Sequence, residues 1–134
     1  MRQRILDELK LNRAEELIPA VYRGRLDRVS LAGLAPLVLS AAEAGDKVAQ
    51  DIVDSRAAEL AELAAAVARK LTLDKPLIPI ALSGGLLLRS PYYRERFSAV
   101  LQAKGTQGDP TILVSDPAEG AIRIAFDRSR MKKP

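Results

Sequence analysis

The most constraining feature of this sequence is a short apolar run that leads into a pair of glycines. Leu77 to Leu82 are apolar without a break and too few for an amphipathic helix, which predicts a strand covered on both faces. Gly84 and Gly85 follow Ser83, and glycine lets a backbone turn sharply and come close to a ligand. The segment therefore predicts a strand-to-helix turn that can seat a nucleotide, although the same glycines also suit a purely structural turn.

Further elements follow this turn. Ser90 and Pro91 have the signature of an N-cap and a first helical residue. The next turns carry an apolar stripe formed by Tyr93, Phe97, Val100 and Leu101. A second apolar run covers Thr111 to Val114, and Pro117 precedes a final helical pattern. The order predicts a strand-helix-strand crossover with parallel strands, followed by one more helix.

The residues before the strand predict helices. Asn12 and Glu15 have the spacing of a capping box between two short helices. Ser30 is expected to cap a helix that ends at Gly45, and Asp46 to cap a long one. The expected inner stripe of the long helix is Ala49, Ile52, Val53, Ala57, Leu60, Ala64, Val67 and Leu71. Its many alanines are typical of close packing against other helices.

The pattern as a whole is that of a helix-rich α/β protein with short parallel strands. We expect residues 1–134 to form a single, partial domain. Within it, residues 1–73 form a helical region and residues 74–134 a β-α-β-α unit.

Composition excludes several kinds of chemistry. The chain has no cysteine and no histidine, which removes thiol nucleophiles, disulfides, Cys/His zinc sites and imidazole bases. No set of carboxylates stands out as paired, so we assign no catalytic residue and no metal ligand. The start, Met1 to Arg4, leads into a polar amphipathic stretch and no apolar run approaches membrane-spanning length, so the sequence predicts a soluble, cytoplasmic protein with no membrane partner.

Positive charge gives no sign of a nucleic-acid partner. The formal net charge is +4, and basic residues concentrate only at Arg23 to Arg28 and Arg128 to Lys133. The first cluster is typical of a solvated loop and the second of a helix end and tail. Aromatic residues make up 4% of the chain and none lies within these clusters, so no base-stacking surface is predicted.

Four short motifs together resemble a known family. In chain order they are LA-x-LAPLV at 31–38, AA-x-x-GD-x-x-A at 41–49, LSGGL at 82–86 and P-x-x-GA-x-x-x-A at 117–125. The set resembles the carboxyl-terminal half of the BadF/BadG-type ATPase and N-acetylglucosamine kinase family, within the superfamily of sugar kinases, actin and heat-shock chaperones. The resemblance implies part of a ribonuclease-H-like lobe, two of which close over ATP and magnesium.

The resemblance also implies where a nucleotide would lie. It places adenosine-side contacts at Ser83, Gly84, Gly85, Leu86, Gly120 and Ala121. One departure is Leu87, which stands where many members of the superfamily have a small residue. Direct contact through that position is therefore not expected.

Other parts of the family pattern are absent from this chain. The chain has no amino-terminal Asp-x-Gly-x-Thr phosphate loop, no first-lobe catalytic aspartate and no second phosphate motif. Phosphoryl transfer needs these groups to position phosphates, metal and base. The resemblance thus implies the adenosine-side portion of an ATP-dependent sugar kinase or ATPase, inactive alone and completed by an amino-terminal lobe or a second copy. The sequence leaves the phosphoryl acceptor undetermined.

Two other functions remain open from the sequence. The alanine-rich helices could form a non-enzymatic protein-interaction domain, in which the glycines are only turns. A complete small enzyme that uses carboxylates alone is a further alternative, and it lacks a convincing acidic pair.

Overall fold

The computed structural model describes residues 1–73 and 77–131. The amino-terminal part is helical, as predicted, and its elements are α1 (Arg2–Glu8), a 3₁₀ turn (Ala14–Glu16), α2 (Leu17–Tyr22), α3 (Arg28–Ala32), α4 (Ala35–Glu43) and α5 (Lys47–Lys70). The start of the predicted β-α-β-α region at residue 74 and the end of the basic tail, Lys132 and Lys133, lie outside the described residues.

The remaining elements are β1 (Leu77–Ser83), α6 (Gly85–Arg89), α7 (Pro91–Ala103), β2 (Gln107–Val114) and α8 (Pro117–Met131). The two strands pair in parallel, with Ile80 opposite Thr111 and Ser83 opposite Val114. Parallel pairing requires a crossover, and here α6 and α7 form it. The predicted helix-rich α/β architecture is confirmed for the described residues, and β2 begins four residues earlier than the apolar run indicated.

The long helix α5 begins as predicted. Gly45 has a φ of 90°, a left-handed conformation that glycine adopts without strain and that closes α4. The Asp46 carboxylate accepts a hydrogen bond of 3.1 Å from the backbone N–H of Ala49. This N-cap bond to the ionised form is the main reason that the pKa of Asp46 lies below its ordinary value.

Alanines form the buried side of α5. Ala49, Ala57 and Ala61 are each fully buried, in a core that α4, α5, α7 and β1 build together. Small side chains allow α7 to approach α5 closely, and α7 contributes Tyr93, Phe97 and Leu101 to the same core. The predicted packing role of the alanines is therefore confirmed.

The predicted stripe on α5 is confirmed at Val53, which is 4% exposed, and wrong at three other large residues. Ile52, Val67 and Leu71 are 42%, 56% and 63% exposed, whereas Ala61, which the stripe omitted, is buried. The side of α5 that faces inward is mainly alanine, which lets α7 pack close to it. The prediction placed the bulkier residues inside because it was based on hydrophobicity alone.

A second, smaller core joins α1 and α2. It consists of Leu6, Leu9, Leu11 and Ala20. The predicted capping box is wrong, since the carboxylate of Glu16, not Glu15, accepts the backbone N–H of Asn12, at 3.3 Å.

The helix predicted between Ser30 and Gly45 is divided into α3 and α4. Asp27 caps α3 by accepting the backbone N–H of Ser30 at 2.8 Å, so the predicted cap is one turn too late. Pro36 lacks a backbone N–H and lies at the second position of α4, where no intrahelical bond is required. The proline therefore starts a new helix.

One face of β1 remains open. Ile78 and Leu82 are buried, but Leu77 on the opposite face is 47% exposed, so the prediction of a strand covered on both faces is wrong for the described residues. On β2, Ile112 and Leu113 are also exposed. Every described side chain of α8 is exposed too.

Within the described residues, no single helix combines the length and apolar character needed to cross a membrane. The stretch Arg28–Glu43 and the helix α5 meet both criteria only when taken together, and they are bent by 116°.

Candidate functional site

The candidate site lies where β1 and β2 end side by side. Ser83 is the last residue of β1 and faces Val114, the last residue of β2. The turns that lead into α6 and α8 therefore leave the same edge of the sheet. Ligands of open α/β sheets bind at this carboxyl edge. In the second turn, the Asp116 carboxylate accepts the backbone N–H of Ala118 at 2.9 Å.

Gly84 makes the turn between β1 and α6. Its φ of 97° and ψ of 154° are a combination that side-chain-bearing residues rarely adopt. The Gly84 carbonyl then accepts the backbone N–H of Leu88 at 3.0 Å, the first hydrogen bond of α6. Gly85 is the first residue of α6, and a Cβ added there would meet no heavy atom within 4 Å. The two glycines thus differ in role: backbone conformation requires Gly84, and Gly85 leaves space.

We expect Gly84→Ala to lower the free energy of unfolding by about 1–3 kcal/mol, because alanine is strained in this conformation. Gly85→Ala is the matched control, since it adds the same methyl group one residue later without strain. Thermal unfolding followed by circular dichroism measures both. An unchanged melting temperature for Gly84→Ala would contradict the observed turn.

An open cavity of about 670 Å³ lies next to this turn, between α3–α4 and α6. Its volume is in the range of small-ligand sites, about 300–1,000 Å³. The walls are mainly apolar or small side chains, formed by Ala32, Ala35, Pro36, Leu39, Gly85 and Leu86. Such walls suit the apolar part of a small ligand.

The cavity also has polar groups at its margin. Glu43, at the end of α4, offers carboxylate acceptors, and Arg89, at the end of α6, offers guanidinium donors. Both side chains are exposed, and in the described structure they form no ion pair with each other. Ser90 is only 5% exposed, and its hydroxyl accepts the backbone N–H of Tyr93 at 3.1 Å as the N-cap of α7. Among the described residues, the cavity therefore offers a ligand the carboxylate of Glu43, the guanidinium of Arg89 and the hydroxyl of Ser40.

The structure brings only some of the predicted site residues together. Gly85 and Leu86 line the cavity, and Ser83 and Gly84 precede them directly. Gly120 and Ala121 lie exposed on α8 and are not among the described residues that line it. Their predicted contact with nucleotide stays a prediction.

Sequence reasoning missed the opposite wall. Ala32 and Leu39 reach the cavity from α3 and α4, about fifty residues before the glycine turn, and only the tertiary fold joins them. The one local signal for this wall was the small and apolar LAPLV stretch. It contributed to the family resemblance, but it did not predict a contact with the glycine turn. Among the described residues, no group of three or more acidic side chains is placed to hold a metal ion.

Together these features define a helix-rich α/β protein with a glycine-turn cleft at the carboxyl ends of parallel strands. The chain belongs to the BadF/BadG/BcrA/BcrD ATPase family, whose model matches residues 1–127. This membership confirms the family that the motifs indicated, and the assignment to its carboxyl-terminal half stays a prediction.

Two curated relatives are sugar kinases. The chain is 31% identical over 121 residues to N-acetylmuramic acid/N-acetylglucosamine kinase of Clostridium acetobutylicum, covering 90% of this chain and 40% of that protein. It is 26% identical over 132 residues to N-acetyl-D-glucosamine kinase of Dictyostelium discoideum, covering 97% of this chain and 41% of that protein. The chain thus spans about two fifths of the length of these relatives. No solved structure matches it significantly.

Proposed function

We propose that this chain is the adenosine-side, carboxyl-terminal portion of an ATP-dependent sugar kinase. The observation that carries the proposal is the cavity beside the glycine turn, where Gly85 and Leu86 line a space for a ligand. The sugar kinases among its relatives support ATP as that ligand. In this proposal the lobe is ribonuclease-H-like and the protein acts in the cytoplasm.

The base of the nucleotide occupies the apolar part of the cavity. Leu39 and Leu86 provide surface on which a purine ring packs, and the ring excludes water from them. Glu43 accepts a hydrogen bond from the exocyclic amine, and Arg89 donates to a ring nitrogen. The ribose lies along the glycine turn, where the lack of side chains at Gly84 and Gly85 permits close approach.

Catalysis belongs to the rest of the protein in this proposal. Phosphoryl transfer requires phosphate-binding groups, a metal ion and a base near the acceptor hydroxyl. The described residues around the cavity offer a single carboxylate, Glu43, so they do not fit a magnesium site. We therefore assign magnesium to groups outside this chain and regard the chain alone as inactive.

The apolar side chains exposed on β1, β2 and α8 support the proposal that a partner covers this surface. Leu77 on β1 and the pair Ile112 and Leu113 on β2 are open on the sheet. On α8, Ile122 and Phe126 are one helical turn apart and are 55% and 65% exposed. Apolar surface of this kind marks an interface. The amino-terminal lobe covers it in our proposal, and a second copy of this chain is the alternative occupant.

The acceptor in our proposal is an amino sugar, because the relatives named above are kinases of N-acetylglucosamine and, in one case, also of N-acetylmuramic acid. The missing lobe holds this sugar. The alternative is an ATPase without a sugar acceptor, as the description of the family allows.

Calorimetric titration of this chain with ADP tests the nucleotide site. We expect one saturable site with a Kd on the order of 1 mM, about 4 kcal/mol of binding free energy, since only one side of the cleft is present. Uridine diphosphate, which has the same phosphates and a smaller base, is the matched control and should bind more weakly. No response to either nucleotide would favour the protein-interaction alternative, which the exposed sheet face and α8 also fit. Repeating the titration on a longer chain that includes the missing lobe then decides between that alternative and an incomplete half-site.

A further inference from the structure

Arg94 joins α7 to the short helix that carries the glycine turn. Its guanidinium Nη1 donates to the carbonyl oxygen of Leu87 at 2.6 Å and to that of Leu88 at 3.2 Å. Both carbonyls belong to α6, and both contacts are partly buried. Charged donors make stronger hydrogen bonds than neutral ones, particularly away from bulk water.

Helix α6 depends on such support. It has five residues, and isolated helices of that length are unstable in water. Its N-cap is Gly84, which has no side chain with which to bond the first backbone N–H groups. Its last carbonyls have no partner within the helix, and Arg94 supplies one. The two bonds from Arg94 therefore fix the carboxyl end of α6 to the core helix α7.

The same short helix forms one wall of the cavity, through Gly85, Leu86 and Arg89. Arg94 itself is not among the described residues that line this cavity. We propose that Arg94 is a positioning residue: by anchoring α6 it holds the glycine turn in the shape that binds nucleotide, without touching the nucleotide. The inference rests on the proposed function for its ligand.

The test compares two arginines on one helix. Arg94→Met removes the donors and keeps an extended side chain. Arg96→Met is the matched control, because Arg96 bonds the Tyr92 hydroxyl at 3.2 Å and Asp54 at 3.3 Å and contacts α5 instead of α6. Two readouts are needed: ADP affinity by calorimetry, and amide hydrogen exchange at Leu88 and Ser90 without nucleotide. These amides bond the carbonyls of Gly84 and Leu86, both at 3.0 Å.

In Arg94→Met we expect about tenfold faster exchange at both amides, because α6 opens locally more often, and about tenfold weaker ADP binding. Arg96→Met should change neither readout, because its half-exposed ion pair with Asp54 contributes little stability and lies away from α6. Arg94→Lys, which keeps the charge, should restore part of both. Binding by wild type and equal binding by Arg94→Met would overturn the role in nucleotide binding.

Unchanged exchange in Arg94→Met would overturn the anchoring itself. If the wild-type chain binds no ADP, the nucleotide part of the inference fails for this chain, and the titration of the longer chain decides whether the proposed function fails as well. The exchange comparison still decides in that case whether Arg94 holds α6, so the two failures are distinguishable.

Discussion

Gly85→Val should abolish measurable ADP binding while the protein stays folded. Gly85 lines the cavity, and a Cβ at this residue would meet no heavy atom of the protein within 4 Å. The valine side chain therefore starts in open space and extends into the cavity that the nucleotide needs. The φ of Gly85 is not in the left-handed region, so a side chain at this residue lacks the strain expected at Gly84. A β-branched residue in a helix costs less than about 1 kcal/mol, which the fold tolerates.

Calorimetry with ADP on wild type and Gly85→Val measures the effect, and we expect a loss of at least about tenfold in affinity, or 1.4 kcal/mol. Circular dichroism verifies that both proteins unfold at similar temperatures. Gly120→Val is the matched control, because Gly120 is also open around its missing Cβ and does not line the cavity. If the nucleotide contacts only the cavity, Gly120→Val should leave the ADP affinity unchanged. Loss in both variants would instead support the predicted contact at Gly120 and Ala121, and wild-type affinity in Gly85→Val would contradict the proposed site.

The elements that could be predicted from the sequence are those with strong local signals. Asp46 after Gly45 marks a helix boundary whatever the surroundings are, because the cap bond and the left-handed φ are local. The glycine pair after an apolar run likewise specifies a strand end and a turn. These signals located half of the candidate site.

The other half depends on tertiary packing. The wall from α3 and α4 lies next to the glycine turn because α4 and α7 both pack against α5, and no local sequence pattern predicts that proximity. Helix α6 was missed for a related reason: five residues are too few to show a helical period, and its stability comes from Arg94 on another helix. The alanine side of α5 was misjudged because the closeness of α7 is a property of the fold.

The open face of β1 has a different cause. A continuous apolar run predicted a strand covered on both faces, which is wrong for the described residues because Leu77 is 47% exposed among them. This chain spans about two fifths of the length of its curated relatives, and in our proposal the missing lobe supplies the cover.

Truncation of the two phenylalanines of this chain should change the free energy of unfolding by very different amounts. Phe97 is 3% exposed in the core between α5 and α7, whereas Phe126 is 65% exposed on α8. Phe97→Ala leaves a cavity and loses buried apolar contacts, at a cost of about 3–5 kcal/mol. The total stability of a domain is only about 5–15 kcal/mol, so this variant should be largely unfolded near its former melting temperature.

Phe126→Ala is the matched control, because the same atoms are removed from a side chain that is mostly in water. We expect its free energy of unfolding, measured by urea denaturation at low protein concentration, to stay within about 0.5 kcal/mol of wild type. A large loss would mean that α8 packs against the core in solution. A loss that appears only at high concentration would mean that a second copy covers Phe126, because the stability of an associated state depends on protein concentration. The pair of variants therefore measures the core and also tests which partner covers the exposed surface of α8.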